Sequence, residues 1–381
     1  MSAPETDAHH TTTVRRPTDV TEASAVLADS TGPVQIRGAG TAGDWAGQAT
    51  PAEQVLDTTS LTGVLAHNPS DMTVSVRAGT PLRELNTLLA EHGQRVALDA
   101  ARVADGASVG GLIATADAGP SALTYGSLRD LVIGATLVLA DGTVAHSGGH
   151  VIKNVAGYDL TKLVHGSHGA LALVAEAVLR LHPLPEATAT VRLACSLTEA
   201  AQRTATLLAS PLEPVAVEWF GDELFVRVEG TSAALDRRVG RLVELLDGAV
   251  RSPEADADDA WDEHARLVGQ PPTGAAILRI GARPSRLAPL LVELVDTLAA
   301  RAPVAGLATG IATVAVPVDA VPDAHRLVHR VGGTSTLRRR PSGSTVPGWG
   351  VEPSAIGVLR AVKTELDPDG RLGAGRFAPW M

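Results

Sequence analysis

Residues 34–51, VQIRGAGTAGDWAGQATP, put an apolar run before Gly38, Gly40 and Gly43 and then refuse to continue as a helix. Gly47 and Pro51 stand where a helix interior would lie, and no apolar residues recur at 3.6-residue spacing. The literal G-x-G-x-x-G is therefore not the turn that opens a helix in a doubly wound nucleotide-binding sheet. Asp57, about twenty residues on, only mimics the ribose-binding acid of such a fold. Arg37, directly before the first glycine, is also out of keeping with a buried strand end. The chain has to fold around a glycine loop that stays coiled. Two more glycine turns, 106–111 and 166–169, lie beside apolar runs, and successive amides without Cβ atoms can form anion-binding nests. Three such turns suit one extended ligand held between two small α+β lobes.

A length of 381 residues predicts two or three domains. The formal charge of −10 argues against a nucleic-acid partner, which would require a basic face. Cys195 is the single cysteine, so the chain cannot supply an internal disulfide, a four-cysteine zinc site or the ligands of an iron–sulfur cluster. Electron chemistry would need an organic cofactor, with one-electron relays in another chain. The N-terminal MSAPETDAHHTTTVRRP lacks the apolar core of a secretory signal, and 304–318 is too short and too interrupted to span a bilayer. The expectation is a cytoplasmic protein with no integral membrane segment, attached to a membrane only through partners.

Residues 1–16 read as a flexible polar N-terminus. Asp19 and Glu22 have capping-box spacing for a helix over 20–29, and Thr80 reads as the cap of a helix beginning at Pro81. Asp141-Gly142 joins two apolar runs as a hairpin. Beyond Pro183 and Pro185 the pattern changes to β-α-β-β-α-β, which predicts one or two ferredoxin-like units. The acidic stretch SPEADADDAWDE, 252–263, reads as a disordered linker. The domains expected are 17–185, a cap domain over 186–365, and a terminal segment, 366–381, returning to the first domain.

The densest stretch is GGHVIKNVAGYDLTKLVHGSHGALALVAEAVLRLHPLP, 148–185. With YGSLRDLV, ASVGGLIATADAG and the terminal LDPDGRLGAGRF, it resembles the vanillyl-alcohol-oxidase/p-cresol-methylhydroxylase (PCMH-type) family of FAD enzymes. Within that family it is similar to the FAD-binding E subunits of bacterial glycolate oxidases. The resemblance implies an α+β fold: an FAD-binding domain of two lobes followed by a ferredoxin-like cap. It also implies residue roles. Arg37, Gly38, Ala39, Gly40, Thr41, Ala42 and Gly43 form the pyrophosphate loop. Ser108, Gly110, Gly111, Ala114 and Gly119 form a second cofactor-wrapping segment, and Tyr125, Gly126 and Arg129 a third. Lys153, Asn154, Gly157, Tyr158 and Asp159 lie close to the flavin, and Gly166, Ser167, Gly169 and Val174 at the adenine end. Thr41 occupies the position where relatives with covalent FAD often carry His, so noncovalent FAD is expected. His168 replaces a more frequent Glu. No His-x-His metal pair occurs, and His325 and His329 read as packing or surface residues rather than a metal site.

The implied reaction is oxidation of a small-molecule 2-hydroxy acid of the glycolate or D-lactate class. Partners would be a second flavin subunit and an iron–sulfur subunit. A self-sufficient alcohol or hydroxy-acid dehydrogenase or oxidase, and a non-catalytic FAD-binding assembly subunit, are the alternatives. The substrate needs a cation for its carboxylate and a base for its hydroxyl. Arg279, a charge inside the apolar strand AAILRIGA, is the candidate for the first role. No residue stands out in the sequence for the second.

Overall fold

The computed structural model describes residues 12–150, 157–270 and 274–381. Three main sheets carry the fold. Thr13–Arg15, Gln54–Asp57 and Val34–Arg37 form a parallel sheet with Gln54–Asp57 in the middle. The run expected to be flexible as far as residue 16 therefore contains a strand. Its backbone groups are satisfied by Gln54–Leu56, and Thr12 Oγ1 donates to the Ala52 carbonyl at 3.0 Å. The second sheet is antiparallel, in the order Val64–Asn68, Thr73–Arg77, Leu173–Arg180, Val132–Val138 and Val144–Gly148. Its central strands and the helices Leu82–Ala90 and Val109–Ala114 bury one continuous core of Val, Leu and Ala. The apolar face of the helix Val20–Asp29 joins the two sheets through Ala23 and Leu27.

The third sheet has eight antiparallel strands and holds two ferredoxin-like units side by side. In chain order the first unit is Ala187–Ala194, a helix Leu197–Leu208, Ala216–Phe220, Glu223–Gly230, a helix Ser232–Leu245 and Val250–Arg251. The second is Ala275–Gly281, a helix Pro284–Leu298, Arg301–Gly306, Ile311–Pro317, a helix Val321–Arg330 and Thr334–Arg339. The fourth strand of each unit lies beside its first, and the units meet where Trp219 pairs with Ala305. The helices of both units cover one face with a Leu- and Val-rich core.

Local chemistry explains where the elements start. Asp19 Oδ1 accepts from the Glu22 amide at 2.9 Å, and Glu22 reaches back to the Thr18 amide. Thr80 does not cap the next helix, which runs Leu82–Ala90 with Pro81 at its N-cap. The Thr80 hydroxyl instead accepts from the Gly63 amide and ties down a neighbouring loop. The acidic stretch expected to be a disordered linker is a helix, Glu254–Gly269. Glu254 and Asp256 sit in its first turn, where the helix dipole favours negative charge. Ala257, Ala260, Trp261, His264 and Val268 recur at helical spacing and face the sheet and the first domain. High acidity on the outer face hid this apolar stripe.

Residues 38–53 contain no helix. They wrap onto the C-terminal segment instead: the Gly47 amide donates to Arg376 O at 3.0 Å and the Thr50 amide to Ala374 O at 2.9 Å. A Cβ on Gly47 would lie 2.3 Å from the Gly375 carbonyl oxygen, so this crossing requires glycine. The same terminal segment pairs with Val34 through Arg371 O, and Arg371 caps the carbonyl end of Val20–Asp29 by donating to Leu27 and Ser30. Among the described residues no helix is long and apolar enough to cross a membrane.

Candidate functional site

The glycine loop after Val34–Arg37 forms one wall of a cleft between the parallel and the antiparallel sheet. The amides of Ala39, Gly40, Thr41 and Ala42 donate to no protein group among the described residues. Gly40 has φ +76°, in the left-handed region, and turns this run of amides into a concave donor surface. The second glycine segment is different. Its Val109, Gly110 and Gly111 amides are already used by Thr80 O, Ala78 O and Ser108 Oγ, so it shapes the wall rather than supplying donors. A chain of free amides facing a glycine-lined wall fits a pyrophosphate, and the residues present therefore suit FAD. FAD bound here would have its pyrophosphate on the amides of 39–42.

Arg37, Gly38, Ala39, Gly40, Thr41, Ala42, Gly43, Ser108, Gly110, Gly111, Ala114, Gly169 and Val174 all line this cleft. Thr58, Arg102, Thr115, His168 and Arg376 line it too, and sequence reasoning had not assigned them there. Arg376 lies in the terminal GAGRF, quoted for its resemblance but given no role. Asp57 is a structural acid: Arg37 donates to it at 2.9 Å, and it caps the turn at Thr58–Ser60. Burial raises its pKa, but hydrogen bonds from Thr59 and Arg37 more than reverse this and hold it at about 2.

The remaining expected cofactor residues that are described do not line the cleft. Gly119 borders a separate cavity beneath the cap, together with Arg279. The Tyr125 phenol donates to Glu229 at 2.7 Å and accepts from Arg95, so it joins the first domain to the cap sheet. Gly126 ends the short helix Ala122–Tyr125, and Arg129 is exposed. Gly157 and Tyr158 are on the surface, and Asp159 caps the helix Leu160–Val164. Gly166 and Ser167 shape the turn before Gly169; the Ser167 hydroxyl is buried without a partner. Lys153 and Asn154 lie outside the described residues. His325 is a core residue, bonded to Ser335 Oγ at 2.7 Å.

Between cleft and cavity sits Asp117, 2 % exposed, with three guanidinium groups around it. Arg102 Nε lies 2.9 Å from Oδ2, Arg338 Nη2 2.8 Å from Oδ1, and Arg279 Nη1 3.7 Å from Oδ1. Arg102 also donates to Thr41 Oγ1 at 2.8 Å and Thr115 Oγ1 at 2.7 Å, which couples the cluster to the glycine loop. Trp45 lies between Arg102 and Arg338, whose guanidinium carbons are 4.2 and 3.9 Å from its ring centre. Burial raises the Asp117 pKa, but Arg338, Arg102 and Arg279 together keep it low. Burial and the neighbouring Arg279 pull Arg338 down to about 9. One carboxylate cannot neutralise three guanidiniums, and the surplus positive charge faces both the cleft and the cavity.

Two neutral histidines complete the surroundings. Burial, helped by Arg376, Arg338 and Arg102, lowers His168 to about 3; burial and Arg129 lower His165 to about 4. Unfolding exposes both to water, where imidazole titrates near 6.5. The unfolded chain then binds protons that the folded chain refuses, so stability must fall with pH below about 6.5 and level off towards the folded values. Chemical denaturation between pH 4 and pH 6 should show this loss, and the double variant His165→Gln/His168→Gln should flatten it by about two protons. In the cleft, Gly40→Val places a β-branched residue in the left-handed region. The variant should keep its fold by circular dichroism but purify with much less flavin than wild type; equal flavin absorbance would contradict the role given to the loop.

The FAD binding domain family matches residues 10–148. The chain is 34 % identical over 177 residues to glycolate oxidase subunit GlcE of Escherichia coli (strain K12), covering 46 % of this chain and 51 % of that protein. It is 34 % identical over 211 residues to D-lactate dehydrogenase of Archaeoglobus fulgidus, covering 54 % and 46 %. The chain thus spans about half the length of these curated relatives. A solved structure of alkyldihydroxyacetonephosphate synthase aligns over 95 % of this chain and 75 % of that one, with a TM-score of 0.67 at 15 % identity, a likeness of fold. Residues 10–148 thus match the FAD binding domain family, and a double ferredoxin-like α+β sheet follows them in the chain.

Proposed function

We propose that this chain is the flavoprotein part of a 2-hydroxy-acid dehydrogenase: it oxidises a short acid of the glycolate or D-lactate class to the 2-oxo acid and passes the electrons to a partner subunit. The observation that carries this reading is the state of Arg279. Its guanidinium makes no hydrogen bond among the described residues, although its side chain is only 19 % exposed. It borders a cavity of about 60 Å³ and shares Asp117 with the FAD cleft. A guanidinium matches a carboxylate with two parallel hydrogen bonds, and a desolvated one binds it strongly. The names of the two relatives, a glycolate oxidase subunit and a D-lactate dehydrogenase, support the same substrate class.

Bound FAD would supply the two-electron acceptor. The chain supplies the rest. Amides 39–42 and the surplus charge on Arg102 hold the pyrophosphate. Arg279 holds the substrate carboxylate, and Ala118, Pro120, Val304 and Ala312 give the small cavity an apolar wall suited to a short chain. Cys195 is the sole cysteine and cannot ligate an iron–sulfur cluster, so a relay through such a cluster would lie in another chain. A second flavin subunit and an iron–sulfur subunit fit that place.

Anaerobic addition of glycolate, D-lactate or a longer 2-hydroxy acid to the FAD-loaded protein tests the reading. Oxidised flavin absorbance at roughly 450 nm should bleach when partner subunits are present. Bleaching of the isolated chain would assign a self-sufficient dehydrogenase instead, and a chain that takes up no FAD would leave only an assembly role. Arg279→Met should weaken hydroxy-acid binding about 10- to 100-fold, as expected for losing a hydrogen-bonded charge partner, while flavin content stays unchanged.

A further inference from the structure

The cavity that holds Arg279 contains a second pair of buried polar groups that the reaction so far leaves unused. Glu218 lies in Ala216–Phe220, a strand whose five residues are all buried. A carboxylate there loses its hydration, and such a loss costs several kcal/mol unless a partner compensates. Its one side-chain partner among the described residues is His264, on the helix Glu254–Gly269, with Nε2 at 3.2 Å from Oε2. Both side chains border the same cavity as Arg279. The imidazole is fixed on its other sides by Phe220 and Trp261, with ring centroids at 5.4 and 5.7 Å.

This arrangement orients the ring. Nε2 faces the Glu218 carboxylate and donates to it, so in the neutral imidazole the lone pair is on Nδ1. Nδ1 has no hydrogen-bond partner among the described residues. The cavity is therefore bordered by a guanidinium suited to an anion and by an oriented imidazole whose Nδ1 has no partner among the described residues.

Resting on the 2-hydroxy-acid reading above, we propose that His264 is the general base of the reaction and that Glu218 is its positioning residue. With the substrate carboxylate on Arg279, the substrate O–H proton passes to His264 Nδ1 as the carbinol carbon becomes a carbonyl. The carbinol hydrogen would leave with both electrons of its C–H bond for the two-electron acceptor that bound FAD would supply, so that R–CH(OH)–COO⁻ becomes R–CO–COO⁻ with one proton on His264 and one hydride equivalent on the acceptor. Glu218 holds the ring in the productive tautomer and stabilises the imidazolium that forms.

The test uses the preparation, isolated chain or complex, in which glycolate or D-lactate bleaches the wild-type flavin. Rapid-mixing reduction and oxalate binding by calorimetry are measured for wild type, His264→Ala, Glu218→Gln and Arg279→Met. His264→Ala should slow reduction by about 10²- to 10⁴-fold, with oxalate affinity within about threefold of wild type, and added imidazole should restore part of the rate. Glu218→Gln should lower kcat with little change in KM, and Arg279→Met should weaken oxalate binding. A His264→Ala protein that binds FAD and is reduced as fast as wild type overturns the assignment of the base. So does a slow variant that imidazole does not rescue, paired with a Glu218→Gln protein of unchanged kcat. A wild-type protein that no 2-hydroxy acid reduces overturns the parent reading instead, and the base with it.

Discussion

One buried carboxylate organises the functional half of this molecule. Among the described residues, Asp117 is the one acid that ion-pairs with Arg102, Arg338 and Arg279, and these three come from different parts of the chain. Arg102 precedes the second glycine segment; Arg279 and Arg338 lie on adjacent strands of the cap sheet. Removing the carboxylate would leave three desolvated cations facing one another, a situation that costs more than any packing around it returns. The cluster thus ties the cap to the FAD domain and fixes the direction of two of its arginines. Arg102 turns towards Thr41 and the amide loop, and Arg279 towards the cavity.

The surplus of positive charge would let two anions bind close together. A pyrophosphate in the cleft and a carboxylate in the cavity would each face a guanidinium already desolvated by the fold. Neither pays the full cost of burying a cation at the moment of binding. The neutral His168 fits the same logic. In a site with Arg102, Arg338 and Arg376 nearby, an additional imidazolium would compete for the same few negative charges, and burial keeps it unprotonated.

Much of this was legible in the sequence where local chemistry decides the outcome. Gly47 and Pro51 ruled out a helix after the glycine loop, and the loop is indeed coiled. Asp19 and Glu22 marked a helix start, and the strand and helix order past Pro185 matches two ferredoxin-like units. The cleft-lining glycines were identified from their spacing and motif. What stayed hidden depends on contacts between residues far apart in the chain. Nothing local to Arg102 or Arg338 says that both will meet Asp117. Nothing in YGSLRD says that Tyr125 will bond to Glu229 rather than line the cleft. The helix Glu254–Gly269 was misread because six acidic residues crowd its first ten positions. The spacing of Ala257, Trp261, His264 and Val268 was the signal available, and it led to the imidazole that the sequence reading lacked.

The central claim is that the cavity beneath the cap holds a substrate carboxylate on Arg279 while FAD occupies the adjoining cleft. A crystal structure of the FAD-loaded protein with oxalate tests it most directly. The account predicts an oxalate carboxylate hydrogen-bonded to the Arg279 guanidinium in the cavity bordered by Glu218 and His264, and the FAD pyrophosphate on the amides of Ala39–Ala42. Oxalate bound elsewhere, with Arg279 turned onto a protein acceptor, would contradict it.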